Sequence, residues 1–138
     1  MSSVPIEMSA RHVHLTAAAY SALFGDTGIV SDHPISQPGQ FVATKRVTIR
    51  GPRGEYIKVA VVGPLRPYTQ VELSATEARY LGITPPITDS GQLDQAAEIT
   101  IVGPASKLVK NAAIIQQRHL HCAPPDAAAN GLKDRQLI

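Results

Sequence analysis

Turn chemistry constrains this chain more than any other feature. Gly51-Pro52-Arg53-Gly54, Gly63-Pro64 and Gly103-Pro104 each fall between apolar runs of strand length. Glycine and proline supply the dihedrals of tight turns and interrupt helices, so the chain between them must run as short strands. Phe41, Ala43, Val47 and Ile49 alternate with Thr44, Arg46, Thr48 and Arg50. That is the period of a strand with one buried face. Ile57, Val59 and Val61 carry the returning strand, and Thr69 to Leu73 another. Glu98 to Val102 and Leu108 to Ile115 read as a second hairpin around Gly103-Pro104. Val-Thr-Ile-Arg-Gly-Pro at 47–52 recurs loosely as Ile-Thr-Ile-Val-Gly-Pro at 99–104.

Two short helices break the strand pattern. Thr16 is an N-cap candidate for Ala17 to Phe24, which Gly25 ends. Ser74 with Glu77 makes a capping box for a helix that stops at Gly82. Val4, Ile6 and Met8 alternate with Pro5, Glu7 and Ser9, which predicts an opening strand. The same parity runs on to His12 and His14. Residues 31–40 and 85–93 read as loops. The fold class is mainly β: a small β-barrel with short capping helices.

Composition narrows the partners. With 138 residues, 43% hydrophobic and 17% charged, the chain suits one compact domain with a real core. Aromatics are 4% with no Trp, and the net charge of +2 is scattered. Neither nucleic acid nor a membrane surface is an expected partner. No apolar run approaches the roughly 18 residues that span a bilayer, and the N-terminus has no secretory pattern. The single Cys122 fits a reducing, cytoplasmic setting.

The chemistry lies in a repeated tetrapeptide. Arg11-His12-Val13-His14 returns as Arg118-His119-Leu120-His121, each before a helix-start signal, Thr16 or Pro124-Pro125-Asp126. Imidazoles at i and i+2 of a strand share a face and can converge on one zinc ion. The alternative for either pair alone is a half-buried strand histidine bonded to backbone carbonyls. His33 reads as a surface residue, and Cys122, of opposite parity to His119 and His121, as a small packing residue, with a thiolate ligand to zinc as the alternative. Glu72, between Val71 and Leu73, is either a third zinc ligand or a solvent-facing carboxylate.

Met8-Ser9-Ala10-Arg11-His12-Val13-His14-Leu15, Ser36-Gln37-Pro38-Gly39-Gln40-Phe41 and Gly63-Pro64-Leu65-Arg66-Pro67-Tyr68-Thr69-Gln70-Val71-Glu72 together resemble the phosphate propanoyltransferase family known as PduL. Leu81-Gly82-Ile83, Asp89-Ser90-Gly91 and Arg118-His119-Leu120-His121 follow in the same order. The resemblance implies transfer of an acyl group, propionyl or acetyl, between coenzyme A and phosphate; with no Ser-His-Asp or reactive-Cys arrangement evident to carry an acyl-enzyme, direct attack of phosphate on the acyl carbonyl is the expected route. The resemblance also implies two pseudo-repeated barrels around two zinc ions. His12, His14 and Glu72 would hold one ion, and His119 and His121 the other with a further C-terminal histidine. Arg66 would contact phosphate, and Ser90 and Gly91 coenzyme A.

By that likeness residues 11–117 form one barrel, while 1–10 and 118–138 belong to the incomplete remainder of the second. The family chain is longer, so a strand edge would stand open and a homo-oligomer is expected. Some family members serve bacterial microcompartments that degrade propanediol, but the N-terminus shows no targeting extension. Two alternatives share the same ligands: a catalytically impaired zinc-binding or oligomerisation module, and a metal-dependent hydrolase.

Overall fold

The computed structural model describes residues 5–137. Along the chain lie β1 (His12–His14), α1 (Ala17–Phe24), β2 (Ser31–Pro34), β3 (Phe41–Arg50), β4 (Glu55–Gly63) and β5 (Gln70–Glu72). Then come α2 (Ala75–Leu81), β6 (Ile87–Thr88), β7 (Ala97–Val102), β8 (Lys107–Gln116) and α3 (Pro124–Ala129). Strand pairing runs β3–β4–β1–β5–β8–β7 and returns to β3, closing a six-stranded barrel. β2 adds to β3, and β6 to β8. Val13, Ile49, Val61, Val71, Ile101 and Ala113 are among the side chains that fill the interior.

The barrel repeats one plan twice: a short strand, a capped helix and a long hairpin. β1 runs parallel to β4, and β5 parallel to β8. β1 is antiparallel to β5, and β3 to β7, so the two halves exchange under an approximate two-fold axis. The helices match in their caps. Thr16 Oγ1 accepts from the Ala19 N–H at 3.1 Å, and Ser74 Oγ from the Glu77 N–H at 3.2 Å. The Glu77 carboxylate returns to the Ser74 N–H at 2.8 Å, completing the box. Gly25 and Gly82 end the helices at φ 75° and 78°, left-handed values that cost glycine little.

Each half also caps the helix of the other. The β3–β4 turn packs beneath the end of α2, where the Arg53 N–H donates to the Leu81 carbonyl at 3.0 Å. The β7–β8 turn does the same beneath α1, with the Ala105 N–H donating to the Leu23 carbonyl at 3.0 Å. A Cβ at Gly51 or Gly103 would stand 2.2 Å from that carbonyl oxygen. The loose repeat at 47–52 and 99–104 is therefore the mark of two equivalent helix-capping turns.

Four expectations need correction. The opening strand does not form among the described residues: Ile6 and Met8 are 91% and 95% exposed, and residues 5–11 pair with no strand. Alternation alone makes no strand where no neighbour supplies hydrogen bonds or a packing face. Val4 lies outside the described residues. Within the expected 31–40 loop, β2 forms, with His33 opposite Val42 and Pro34 opposite Phe41. All four of its residues are exposed, so burial periodicity could not reveal it. β6 likewise lies inside the expected 85–93 loop.

Ile57 is 63% exposed rather than buried with Val59 and Val61. Pairing shifts from Val47 opposite Val59 to Ile49 opposite Tyr56, so β4 carries one extra residue there. Lys58, at φ 55°, absorbs that bulge and turns Ile57 outward.

The capping turns predict a stability series. Gly51→Ala and Gly103→Ala each lower stability by about 1–3 kcal/mol, because backbone must shift to admit the methyl. Gly28→Ala, with nothing within 4 Å of its Cβ, changes it by less than about 0.5 kcal/mol. Urea denaturation of the three variants checks the contrast.

Candidate metal centre

The site begins with the β1–β5 pairing. His12 lies opposite Glu72, Val13 opposite Val71, and His14 opposite Gln70. Val13 and Val71 are fully buried in the core. Strand alternation then puts His12, His14, Gln70 and Glu72 together on the other face. His14, Gln70 and Glu72 are buried all the same. Glu72 is thus no solvent-facing carboxylate.

Among the described residues, His12, His14 and Glu72 form the cluster of potential metal ligands. His12 Nε2 stands 3.2 Å from His14 Nε2 and 3.3 Å from Glu72 Oε2. His14 Nε2 is 3.4 Å from Glu72 Oε1. Donors bound tetrahedrally to zinc at about 2.0–2.1 Å lie about 3.3–3.4 Å apart, so the spacing fits such an ion.

The ring tautomers strengthen that fit. His12 Nδ1 faces the Ala10 carbonyl at 2.8 Å, and His14 Nδ1 the Val62 carbonyl at 3.1 Å. A carbonyl only accepts, so each Nδ1 carries its hydrogen and each neutral ring presents an Nε2 lone pair inward. Two lone pairs and a carboxylate cannot converge at these distances without a positive charge between them. A proton or a metal ion supplies it.

Protonation follows the same logic. Burial works to lower the His12 pKa, but its hydrogen bond to Glu72, the charge of Glu72 and the Ala10 carbonyl together raise it. Burial lowers the pKa of His14, and the charges of His12 and Arg66 add to that effect against the Glu72 hydrogen bond. For Glu72, burial favours the neutral acid, yet hydrogen bonds from both histidines and their charges hold the carboxyl far below the usual range. The directions together favour a proton on His12 and an ionised Glu72.

Arg66 sits at the border of this cluster. Its peptide N–H donates to the carbonyl of Leu15, the residue after His14, at 2.8 Å. Its guanidinium donates to Tyr68 Oη at 3.2 Å and to Gln40 Oε1 at 2.9 Å. Gln40 donates onward to Gln37, whose Nε2 lies 3.1 Å from His121 Nε2. A chain of amides therefore runs from Arg66 to the second histidine pair.

Ser90 and Gly91 also reach the cluster, through Gln70. The Ser90 Oγ lies 2.8 Å from Gln70 Nε2, and the Gly91 N–H donates to Gln70 Oε1 at 2.8 Å. Sequence reasoning assigned no role to Gln37, Gln40, Tyr68 or Gln70. Neutral amides and a phenol carry no ligand or acid–base signature, and only the fold brings them in.

The second pair copies the first in part. His119 Nδ1 faces the carbonyl two residues back, Gln117, at 2.7 Å, as His12 faces Ala10. The Nε2 atoms of His119 and His121 are 2.8 Å apart. This corner is irregular chain rather than strand, and both histidines are exposed. No third His, Cys, Asp or Glu joins them at ligand distance among the described residues. Arg11 anchors the first unit, with Glu77 Oε1 at 3.0 Å and its guanidinium over Tyr56; Arg118 is exposed. Cys122 is exposed too, not a packing residue, because the corner after β8 has no strand to turn it inward. His33 is a surface residue beside Asp32, as expected. No helix among the described residues is long and apolar enough to cross a membrane.

The chain belongs to the phosphate propanoyltransferase family, whose profile matches residues 5–138. It is 45% identical over 132 residues to the phosphate propanoyltransferase of Rhodobacter capsulatus, covering 94% of this chain and 61% of that protein. It is 46% identical over 137 residues to the one from Alkaliphilus metalliredigens, covering 98% and 65%. The Thermotoga maritima protein of the same name is 43% identical over 135 residues, covering 96% and 64%. The chain thus spans less than two thirds of the length of these relatives.

A zinc ion bound at the cluster would compete with a proton for His12 Nε2. Because the His12 pKa is raised above 6.5, zinc affinity climbs with pH until that proton is gone and then levels off. Calorimetric titrations at pH 6.5 in buffers of different ionisation enthalpy will report proton release. His14→Ala and Glu72→Gln should each weaken zinc binding by at least about tenfold.

Proposed function

We propose that this chain carries phosphotransacylase chemistry, moving a propionyl or acetyl group between coenzyme A and inorganic phosphate at a zinc site. The observation that carries the reading is a three-donor cluster bordered by an arginine whose peptide N–H donates to Leu15, the residue after His14, in a chain of this family. His12, His14 and Glu72 hold zinc, and His119 and His121 contribute to a second ion. Zinc, when bound, supplies a Lewis acid for the thioester carbonyl and offsets charge developing there.

The chain's own residues do the rest. Arg66 offers a planar donor fork to phosphate, held in place by Tyr68 and Gln40. Ser90 and Gly91 line the coenzyme A side. A phosphate oxygen attacks the acyl carbon, a C–O bond forms, the C–S bond breaks, and coenzyme A leaves as its thiolate. No serine or cysteine needs to carry an acyl group.

The exposed Ile6, Met8, Leu120 and Leu137 support a role for the terminal segments, 1–10 and 118–138, as part of a second pseudo-repeated barrel beside the barrel of 11–117. The same apolar side chains support a homo-oligomer, which light scattering on the zinc-loaded protein should register as a multiple of the chain mass. A cytoplasmic setting accords with these substrates. A second reading, a zinc-binding module of the family without turnover, rests on the lack of a third ligand at His119 and His121 among the described residues.

Thiol release from propionyl-CoA and acetyl-CoA separates the readings. The zinc-loaded protein should release free coenzyme A only with phosphate present. Arg66→Ala and His12→Ala should each cut that rate by about 100-fold or more. Bound zinc with no release selects the module without turnover, and release independent of phosphate selects a hydrolase.

A further inference from the structure

The two-fold relation between β1 and β5 makes Gln70-Val71-Glu72 the counterpart of His12-Val13-His14. Gln70 therefore stands where its symmetry mate, His12, supplies a metal donor. It is completely buried, and a buried carboxamide is costly unless its polar atoms are paired. All of them are. Nε2 donates to Glu72 Oε1 at 2.7 Å and to Ser90 Oγ at 2.8 Å. Oε1 accepts from the Gly91 N–H at 2.8 Å.

The amide orientation is forced by these partners. A peptide N–H only donates, so Oε1 must face Gly91, and an ionised carboxylate only accepts, so Nε2 must face Glu72. Flipping the amide would break both bonds and set oxygen against oxygen. One side chain thereby ties the metal-cluster carboxylate to a loop about 20 residues further along the chain.

We propose that Gln70 is a positioning residue that joins the metal cluster to the Ser90–Gly91 corner, so that filling one steadies the other. The inference rests on the zinc reading above. By holding Oε1, Gln70 limits the carboxylate to orientations in which Oε2 faces His12. With zinc drawing on Glu72, the carboxylate can no longer swing away, and the Gln70 amide it anchors keeps the Gly91 N–H closed. Linkage makes the effect mutual: whatever steadies the corner also tightens metal binding.

The test uses the full chain with zinc alone. Zinc affinity is read by competition with a chromophoric chelator, and Gly91 amide hydrogen exchange by NMR with and without zinc. In the wild type, zinc should slow exchange at Gly91. Gln70→Met keeps the volume and removes all three bonds. It should weaken zinc binding by about 10–100-fold, speed Gly91 exchange and abolish the response of Gly91 to zinc. Should Gln70→Met fail to fold, Gln70→Asn, whose shorter amide cannot reach Glu72 and Gly91 together, is expected to lose the response in the same way.

Wild-type zinc affinity in the folded variant, or a Gly91 response to zinc that survives the substitution, overturns the proposal. A wild-type chain that binds no zinc at this cluster instead overturns the reading on which it rests.

Discussion

The antiparallel pairing of β1 with β5, two strands of three residues each, is the contact on which the candidate site depends. With Val13 facing Val71 inside the barrel, the flanking residues of both strands must share the outer face. A one-residue slip would exchange the faces, burying imidazoles in the core and exposing valines. The fully buried valines therefore fix the register of the metal cluster. Core packing and donor geometry are here one constraint.

That constraint would not make a metal site without control of charge. The Ala10 and Val62 carbonyls hold both Nδ1 hydrogens, so the inward nitrogens are lone pairs facing an anion. The arrangement favours a positive charge among these donors, which a proton on His12 or a metal ion would supply. Arg66 cannot supply it, because its guanidinium is engaged by Tyr68 and Gln40. It lies close enough, however, for its charge to act on both histidines.

The legible parts of the fold were those written in local chemistry. Thr16 with Gly25 and Ser74 with Gly82 set the ends of two helices through bonds within a few residues, so the sequence alone located them. His12 and His14 were legible because spacing by two fixes a shared face whatever the rest of the chain does. Glu72 was half legible: Val71 and Leu73 gave its direction, but its burial comes from what covers that face. Gln70 was not legible, since its meaning lies in Ser90 and Gly91. The opening strand misled because Ile6 and Met8 alternate with polar residues yet have no neighbour. Lys58 shows the other failure, a bulge that reverses parity inside a sound strand. The obvious repeat, Arg-His-x-His, is not the one that builds the barrel, where His12-Val13-His14 and Gln70-Val71-Glu72 agree only in the buried valine.

The identity of the side chains that would hold an ion is the central point. The zinc absorption-edge spectrum of the full chain, loaded with one equivalent, tests it most directly. The expected first shell contains only nitrogen and oxygen at about 2.0–2.1 Å with two imidazoles, and it should be unchanged in His119→Ala. A sulfur scatterer at about 2.3 Å, which only Cys122 or a methionine of this chain could supply, would contradict the account. So would a shell that collapses when His119 is removed and survives the loss of His14.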